Sequence, residues 1–159
     1  MSRTRDETPP IEGIRLAAVA SLLGAPSTFR KVPRSSLEAH EMLLSGLPSG
    51  ALSHFVDNLV FLRWDDSFSK AIGMSHRTYQ RHTSSVKQLS PEQSGRMWKL
   101  AEILAKAVSI FGSKEDAEQW LEQPAIGLNQ RKPIDLLATP AGVELVEAFL
   151  VQLEYGVYA

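Results

Sequence analysis

The clearest pattern of apolar and polar positions lies in residues 90–159. Met97, Leu100, Leu104, Ala107, Val108 and Phe111 recur at steps of three and four, which is one apolar stripe on a helix. The punctuation agrees with the period. Ser90 stands at the N-cap, Pro91 takes the first helical position, and Gln93 completes a capping-box pattern. Gly112 follows the last apolar residue, where a left-handed residue belongs. Ser113 caps a second helix with Lys114, Glu115 and Asp116 in its first turn, Ala117, Trp120 and Leu121 on its buried side, and Pro124 as its stop. A loop, residues 125–132, leads to Pro133 and a short helix over 134–138 that offers Leu136 and Leu137 to a core. Thr139-Pro140 repeats the cap-plus-proline device. The last helix then carries Val143, Val146, Phe149, Leu150 and Leu153 on one side, and Gly156 ends it.

The first half follows the same period less cleanly. Met1 to Pro10 is polar, with Pro9-Pro10 as a breaker, and is expected to be disordered. Ile11 to Leu23 predicts a helix with Ile14, Ala17, Ala18 and Leu22 on its buried side and Gly24 as its stop. Residues 25–34 form a connector with a small basic cluster, Arg30, Lys31 and Arg34. Ser35-Ser36 caps a helix running through Leu44, whose buried face is expected at Leu37, His40, Leu43 and Leu44. Gly46-Leu47-Pro48 ends it. Ser49 then caps a helix with Leu52, Phe55, Val56, Leu59 and Val60 at helical spacing, running to about Arg63, with Trp64 in the core. No segment alternates with a period of two, so the chain is expected to be all-α.

Residues 65–82 have a plan of their own. A short helix capped by Asp65 or Asp66, a turn at Gly73 and a second short helix capped by Ser75 make a helix-turn-helix pattern. Phe68, Ile72, Met74 and Tyr79 would lock the two helices together. That leaves Ser75, His76, Arg77, Gln80, Arg81 and Ser84 exposed on the second helix, the element that enters the major groove in this motif. Arg bonds guanine bidentately and Gln bonds adenine. Arg77 and Arg81, four residues apart, project to one side. The flanking Thr83, Ser84, Ser85 and Lys87 are candidates for phosphate contacts.

The net charge of −1 hides an asymmetry: residues 1–89 hold 11 Lys and Arg against 8 Asp and Glu, whereas residues 90–159 hold 6 against 10. An anionic partner therefore suits the first half better than the second. Cysteine is absent, which excludes a disulfide framework, a Cys-based zinc site and a catalytic thiol. No run of 18 apolar residues predicts a membrane span, and the N-terminus lacks an apolar signal core, so a cytoplasmic protein is expected. The four His are scattered, and no Gly-rich phosphate loop, G-x-S-x-G or H-E-x-x-H occurs. No convergent catalytic set, metal site or cofactor site is expected, and the chain is not expected to be an enzyme.

The residues of the second half carry a resemblance. Phe111-Gly112, Ala117, Trp120-Leu121, Pro124, Leu128, Pro133, Asp135-Leu136-Leu137, Thr139, Gly142, Val146, Leu150, Glu154, Gly156 and Tyr158-Ala159 stand in the pattern of the C-terminal domain of the Xre/ParS/MbcA antitoxins. The chain resembles that family over most of residues 90–159, and residues 65–82 resemble its Xre-type helix-turn-helix. Three positions differ: Ser69 stands where the tight helix–helix contact usually takes Ala, and Asn129-Gln130 precede Arg131 where the family usually has Gly-Gly. The resemblance implies an N-terminal arm and helix at residues 1–34, a helix-turn-helix DNA-binding domain at 35–89 and a four-helix toxin-binding domain at 90–159. It implies a RES-domain toxin as partner, one that consumes NAD or transfers ADP-ribose. The C-terminal helix and tail would cover the toxin's active site, with Arg131, Glu154, Tyr155, Val157, Tyr158 and Ala159 as the contact set. It also implies repression of the shared operon by binding its operator, in a chain expected to form a homodimer. The competing reading is a stand-alone transcriptional regulator whose C-terminal half only dimerises.

Overall fold

The structure of the chain, a computed structural model, describes residues 11–84 and 88–156. The disorder expected for residues 1–10, the phosphate candidates Ser85 and Lys87, and the tail residues Val157, Tyr158 and Ala159 lie outside the described residues. Among those described, nine α-helices follow one another: α1 (Ile11–Leu22), α2 (Ser36–Ser45), α3 (Ser49–Asp57), α4 (Asp66–Ile72), α5 (His76–Thr83), α6 (Pro91–Phe111), α7 (Lys114–Leu121), α8 (Pro133–Leu136) and α9 (Pro140–Glu154). A 3-10 turn covers Ile126–Leu128. The fold is all-α. Extended pairing among the described residues is confined to two isolated bridges, Pro48 with Gln88 and Ala125 with Arg131.

α6 is the spine. The predicted capping box is formed: the Gln93 N–H donates to the Ser90 hydroxyl at 3.1 Å, and the Gln93 side chain accepts the Ser90 N–H at 3.3 Å. Gly112 closes the helix in the left-handed region. Its buried residues (Ser94, Met97, Trp98, Leu100, Ala101, Ile103, Leu104 and Ala107) include the expected stripe and broaden it, because α1, α2, α4, α7 and α9 all pack on the helix, while Lys99, Glu102 and Lys106 occupy the remaining side and form ion pairs there. A helix with so broad an apolar face belongs at the centre of a core. The hydroxyl of Ser94 is buried there and accepts the Leu47 N–H at 2.8 Å, while the Leu89 N–H donates to the Leu47 carbonyl. The α2–α3 turn is thereby pinned to the start of α6.

Three expectations for the first half need correction. In α1 the buried residues are Leu16, Val19 and Ala20, continued by Leu23; Ile14, Ala17 and Ala18 are exposed and Leu22 is half-buried. The helix is apolar on both sides, so spacing alone does not decide which side meets α6. In α2 only Ala39 is buried, with Met42 and Leu43 half-buried, and Leu37, His40 and Leu44 face outwards. This helix lies at the edge of the bundle and turns its small residue to the core. α3 begins at Ser49, with Pro48 in the cap position and no side-chain cap bond, and it stops at Asp57 instead of running to Arg63. Leu52 and Phe55 are buried, but Val60 is exposed. The helix cannot continue because the N–H groups of Val60, Phe61 and Leu62 are taken by the carboxylate of Glu118 instead of by helix carbonyls.

The second half meets its expectations closely. Ser113 and Thr139 cap α7 and α9, Leu137 is buried and Leu136 half-buried, and α9 buries Val146 and Leu150. Gly142 permits the close approach of α8 and α9, since a Cβ there would lie 1.8 Å from the Leu136 carbonyl oxygen. Gly95, in the interior of α6, has nothing within 4 Å of a Cβ. Two opposite results follow for denaturant unfolding. Gly142→Ala should lower stability by about 1–3 kcal/mol or more through overpacking against backbone. Gly95→Ala should raise it by roughly 0.5–1 kcal/mol through helix propensity.

Candidate functional site

The helix-turn-helix forms as the pattern predicts. Asp65 accepts the Phe68 N–H at 2.9 Å and caps α4. Gly73 takes the left-handed φ of 72° that the tight turn requires, and Ser75 accepts the Thr78 N–H and caps α5. Phe68, Ile72, Met74 and Tyr79 are all buried between the helices. Trp64 stacks on Tyr79 with ring centroids 4.6 Å apart and packs on Phe68 at 4.9 Å. Its indole N–H donates to the Ser69 hydroxyl at 2.8 Å. Ser69, in the position that usually holds Ala, thus supplies the acceptor that a half-buried tryptophan needs. Burial, and then the charge of Asp57, push the Tyr79 hydroxyl above its ordinary pKa, opposed by its hydrogen bond with Ser53 of α3.

All six residues expected to face DNA are exposed along α5: Ser75, His76, Arg77, Gln80, Arg81 and Ser84. They are not equally available. The Ser75 hydroxyl is engaged in the cap and with the Thr78 hydroxyl. The His76 ring rests 5.6 Å from Trp64 and 5.9 Å from Tyr79. Ser84 bonds back to the Gln80 and Arg81 carbonyls. The side chains of Arg77, Gln80 and Arg81 make no hydrogen bond or ion pair among the described residues, so their donors are open to a ligand. α5 carries no acidic residue to oppose an anion.

The second candidate set lies in α7 to α9. Trp120 of α7 packs between Phe111 at 5.4 Å and Phe149 of α9 at 6.2 Å. The 3-10 turn packs on α9, with Gly127 directly under the Phe149 ring. Arg131 is exposed, and its backbone is fixed: the Ala125 N–H donates to its carbonyl at 3.1 Å, and its own N–H donates to Leu128. Asn129 and Gln130 both adopt left-handed backbone, with φ of 59° and 62°. This is the conformation glycine favours, at the two positions where the family usually has Gly-Gly. Glu154 is drawn into an ion pair with Lys106 of α6. Tyr155 is 76% exposed, and α9 also exposes Leu145 and Val151, so its outer side carries apolar side chains among Glu144 and Glu147.

Sequence reasoning missed Glu118. It is fully buried and accepts the N–H groups of Val60, Phe61 and Leu62 at 2.9, 3.0 and 3.0 Å, with the Lys114 ammonium 3.4 Å away. The available signal was its place beside Ala117 and one turn before Leu121, on the buried arc of α7. Neighbouring Glu122 has its carboxyl pushed above the usual range, by burial first and then by the charge of Asp65.

Residues 106–156 match the family model of the antitoxin Xre/MbcA/ParS C-terminal toxin-binding domain. Residues 38–102 match that of the antitoxin Xre-like helix-turn-helix domain. The chain belongs to the Xre/MbcA/ParS antitoxin family. It is 32% identical over 91 residues to an Antitoxin Xre of Yersinia enterocolitica, covering 57% of this chain and 62% of that protein. It is 30% identical over 80 residues to an Antitoxin Xre of Pseudomonas putida, half of each chain. It is 29% identical over 98 residues to a Prs ADP-ribosylating antitoxin of a Sphingobium species, covering 56% of this chain and 62% of that one. The matches thus span less than two thirds of these curated relatives. The two matched domains meet inside α6, and α1 precedes both. Among the described residues no group of three His, Cys, Asp or Glu could hold a metal ion, and no helix is long and apolar enough to cross a membrane.

The raised pKa of Glu122 has a consequence for stability. The folded state holds this proton more tightly than the unfolded one, so the ionised carboxylate costs stability above the folded pKa, and the cost vanishes below the unfolded pKa. Glu122→Gln should therefore raise Tm slightly at pH 7, and the gain should disappear as pH falls through the carboxylate range. Thermal melts across pH 4–8 check this.

Proposed function

We propose that this chain neutralises a cognate RES-domain toxin, one that consumes NAD or transfers ADP-ribose, and represses its own operon by binding DNA. The observation that carries the reading is α9. In a domain matched to toxin binding, this helix and its C-cap leave Leu145, Val151 and Tyr155 in solvent. Exposed aromatic and aliphatic side chains at a helix end are the anchors a protein interface uses. In this reading inhibition is steric: the last helix and tail cover the toxin's active site. Arg131, Glu154, Tyr155, Val157, Tyr158 and Ala159 form the contact set, and Glu154 exchanges Lys106 for the toxin where the two compete. A relative named as an ADP-ribosylating antitoxin supports the toxin class.

Operator recognition falls to α5. Arg77, Gln80 and Arg81 read bases, and Ser75, His76 and Ser84 hold the helix end against the backbone. A homodimer doubles the phosphate contacts that a modestly basic half supplies. Functionally the chain divides into an arm and helix at residues 1–34, a DNA-binding part at 35–89 and a toxin-binding part at 90–159. It acts in the cytoplasm without a cofactor and without catalysis of its own.

Two variants separate the roles. Deleting residues 155–159 should abolish protection of cells from the toxin while leaving the melting curve and operator binding unchanged. Arg77→Ala with Arg81→Ala should weaken operator binding by about 2 kcal/mol or more while protection persists. A truncated chain that still protects contradicts the covering mechanism. A chain that binds DNA but never a toxin is a stand-alone regulator.

A further inference from the structure

Glu118 is a buried charged group that neither proposed binding surface uses. It belongs to a row. Lys114, Glu118 and Glu122 stand four residues apart on one side of α7 and its C-cap, and all three face the segment 58–65 that feeds α4. The Lys114 ammonium donates to the Asn58 carbonyl. The Glu118 carboxylate accepts three consecutive N–H groups, from Val60, Phe61 and Leu62. Glu122 lies within electrostatic reach of Asp65 and Arg63. Consecutive amides converging on one carboxylate make an anion nest, here filled from within the chain. Charge-assisted bonds of this kind are stronger than neutral ones.

The row joins the two matched domains. Glu118 lies in the toxin-binding match, and residues 60–62 lie in the helix-turn-helix match. Segment 58–65 has no helix of its own, so its path into α4 is set by what grips it. On the other side of α4, the Ser67 hydroxyl donates to Asp135 of α8 at 2.5 Å. α7 in turn stacks Trp120 on Phe149 of α9. α9 is thus linked through α7 and Glu118 to the segment that leads into α4, and α4 precedes the recognition helix.

We infer that Glu118 is a positioning residue: it sets the attitude of the helix-turn-helix from the toxin-binding half, and through it toxin occupancy changes operator affinity. The inference rests on the proposed function. Coupling between two ligands is reciprocal, so DNA changes toxin affinity by the same factor. A residue that merely stabilised the fold would lower both affinities together and leave the coupling factor unchanged.

The test uses the full chain, its toxin and operator DNA. Operator affinity is measured with and without toxin for wild type, Glu118→Gln and Glu118→Ala, with hydrogen exchange at residues 60–62 and melting curves alongside. In wild type, toxin should change operator affinity by at least about fivefold in one direction. Glu118→Gln keeps the shape and the acceptor but loses the charge. It should stay folded, exchange faster at residues 60–62, hold toxin alone as wild type does, and bring the coupling factor to within about twofold of one. Glu118→Ala, where it folds, should do the same more completely. Unchanged coupling in a folded Glu118→Gln overturns the inference, as does a toxin that leaves wild-type operator affinity untouched. A wild type that binds no toxin at all removes the proposed function first, and the inference with it.

Discussion

Keeping water off α6 is the constraint on which the remaining structure depends. A helix that buries Met97, Trp98, Leu100, Ala101, Ile103, Leu104 and Ala107 over so broad a face needs several partners, and only the side carrying Lys99, Glu102 and Lys106 is left to water. α1, α2 and α4 supply them from the first half, and α7 and α9 from the second. The two matched domains share this one core, because the helix in which they meet is the centre of both. The polar groups buried with it are satisfied: Ser94 takes the Leu47 N–H, and Glu118 takes the amides of segment 60–62. Each fixes a turn or segment of the first half to a helix of the second.

This arrangement explains why the surfaces with open donors and exposed apolar side chains lie at the periphery. α5 reaches solvent with Arg77, Gln80 and Arg81 unengaged among the described residues, because Tyr79, Trp64 and Phe68 hold its inner side. α9 presents Leu145, Val151 and Tyr155 because its inner side already fills the groove between α6 and the 3-10 turn. Sequence charge follows the same division, with the more basic half carrying the proposed DNA surface and the more acidic half the proposed toxin surface.

Local chemistry made much of this legible. Caps and stops at Ser90, Gly112, Ser113, Thr139, Asp65, Gly73 and Ser75 are sequence-near devices, and the structure places each where its residue type demands. The inward residues of the helix-turn-helix and of α9 followed from a single apolar stripe. The failures share one cause. α1 is apolar on both sides and α2 is peripheral, so periodicity did not decide which side of α1 or α2 meets the core. The early end of α3 depends on Glu118, 56 residues after Leu62, whose role only tertiary packing reveals. At the departures from the family pattern, Ser69 accepts a hydrogen bond from Trp64, and Asn129-Gln130 take the left-handed backbone that glycine favours.

As proposed, this chain shields cells from a partner that attacks NAD or transfers ADP-ribose. The most direct measurement expresses the neighbouring gene alone and then with this chain, and follows growth, cellular NAD and co-purification. Arrest with loss of NAD or with ADP-ribosylated protein is expected, with recovery when this chain is present and a complex of the two. A harmless neighbour, or one that never associates with this chain, contradicts the proposal.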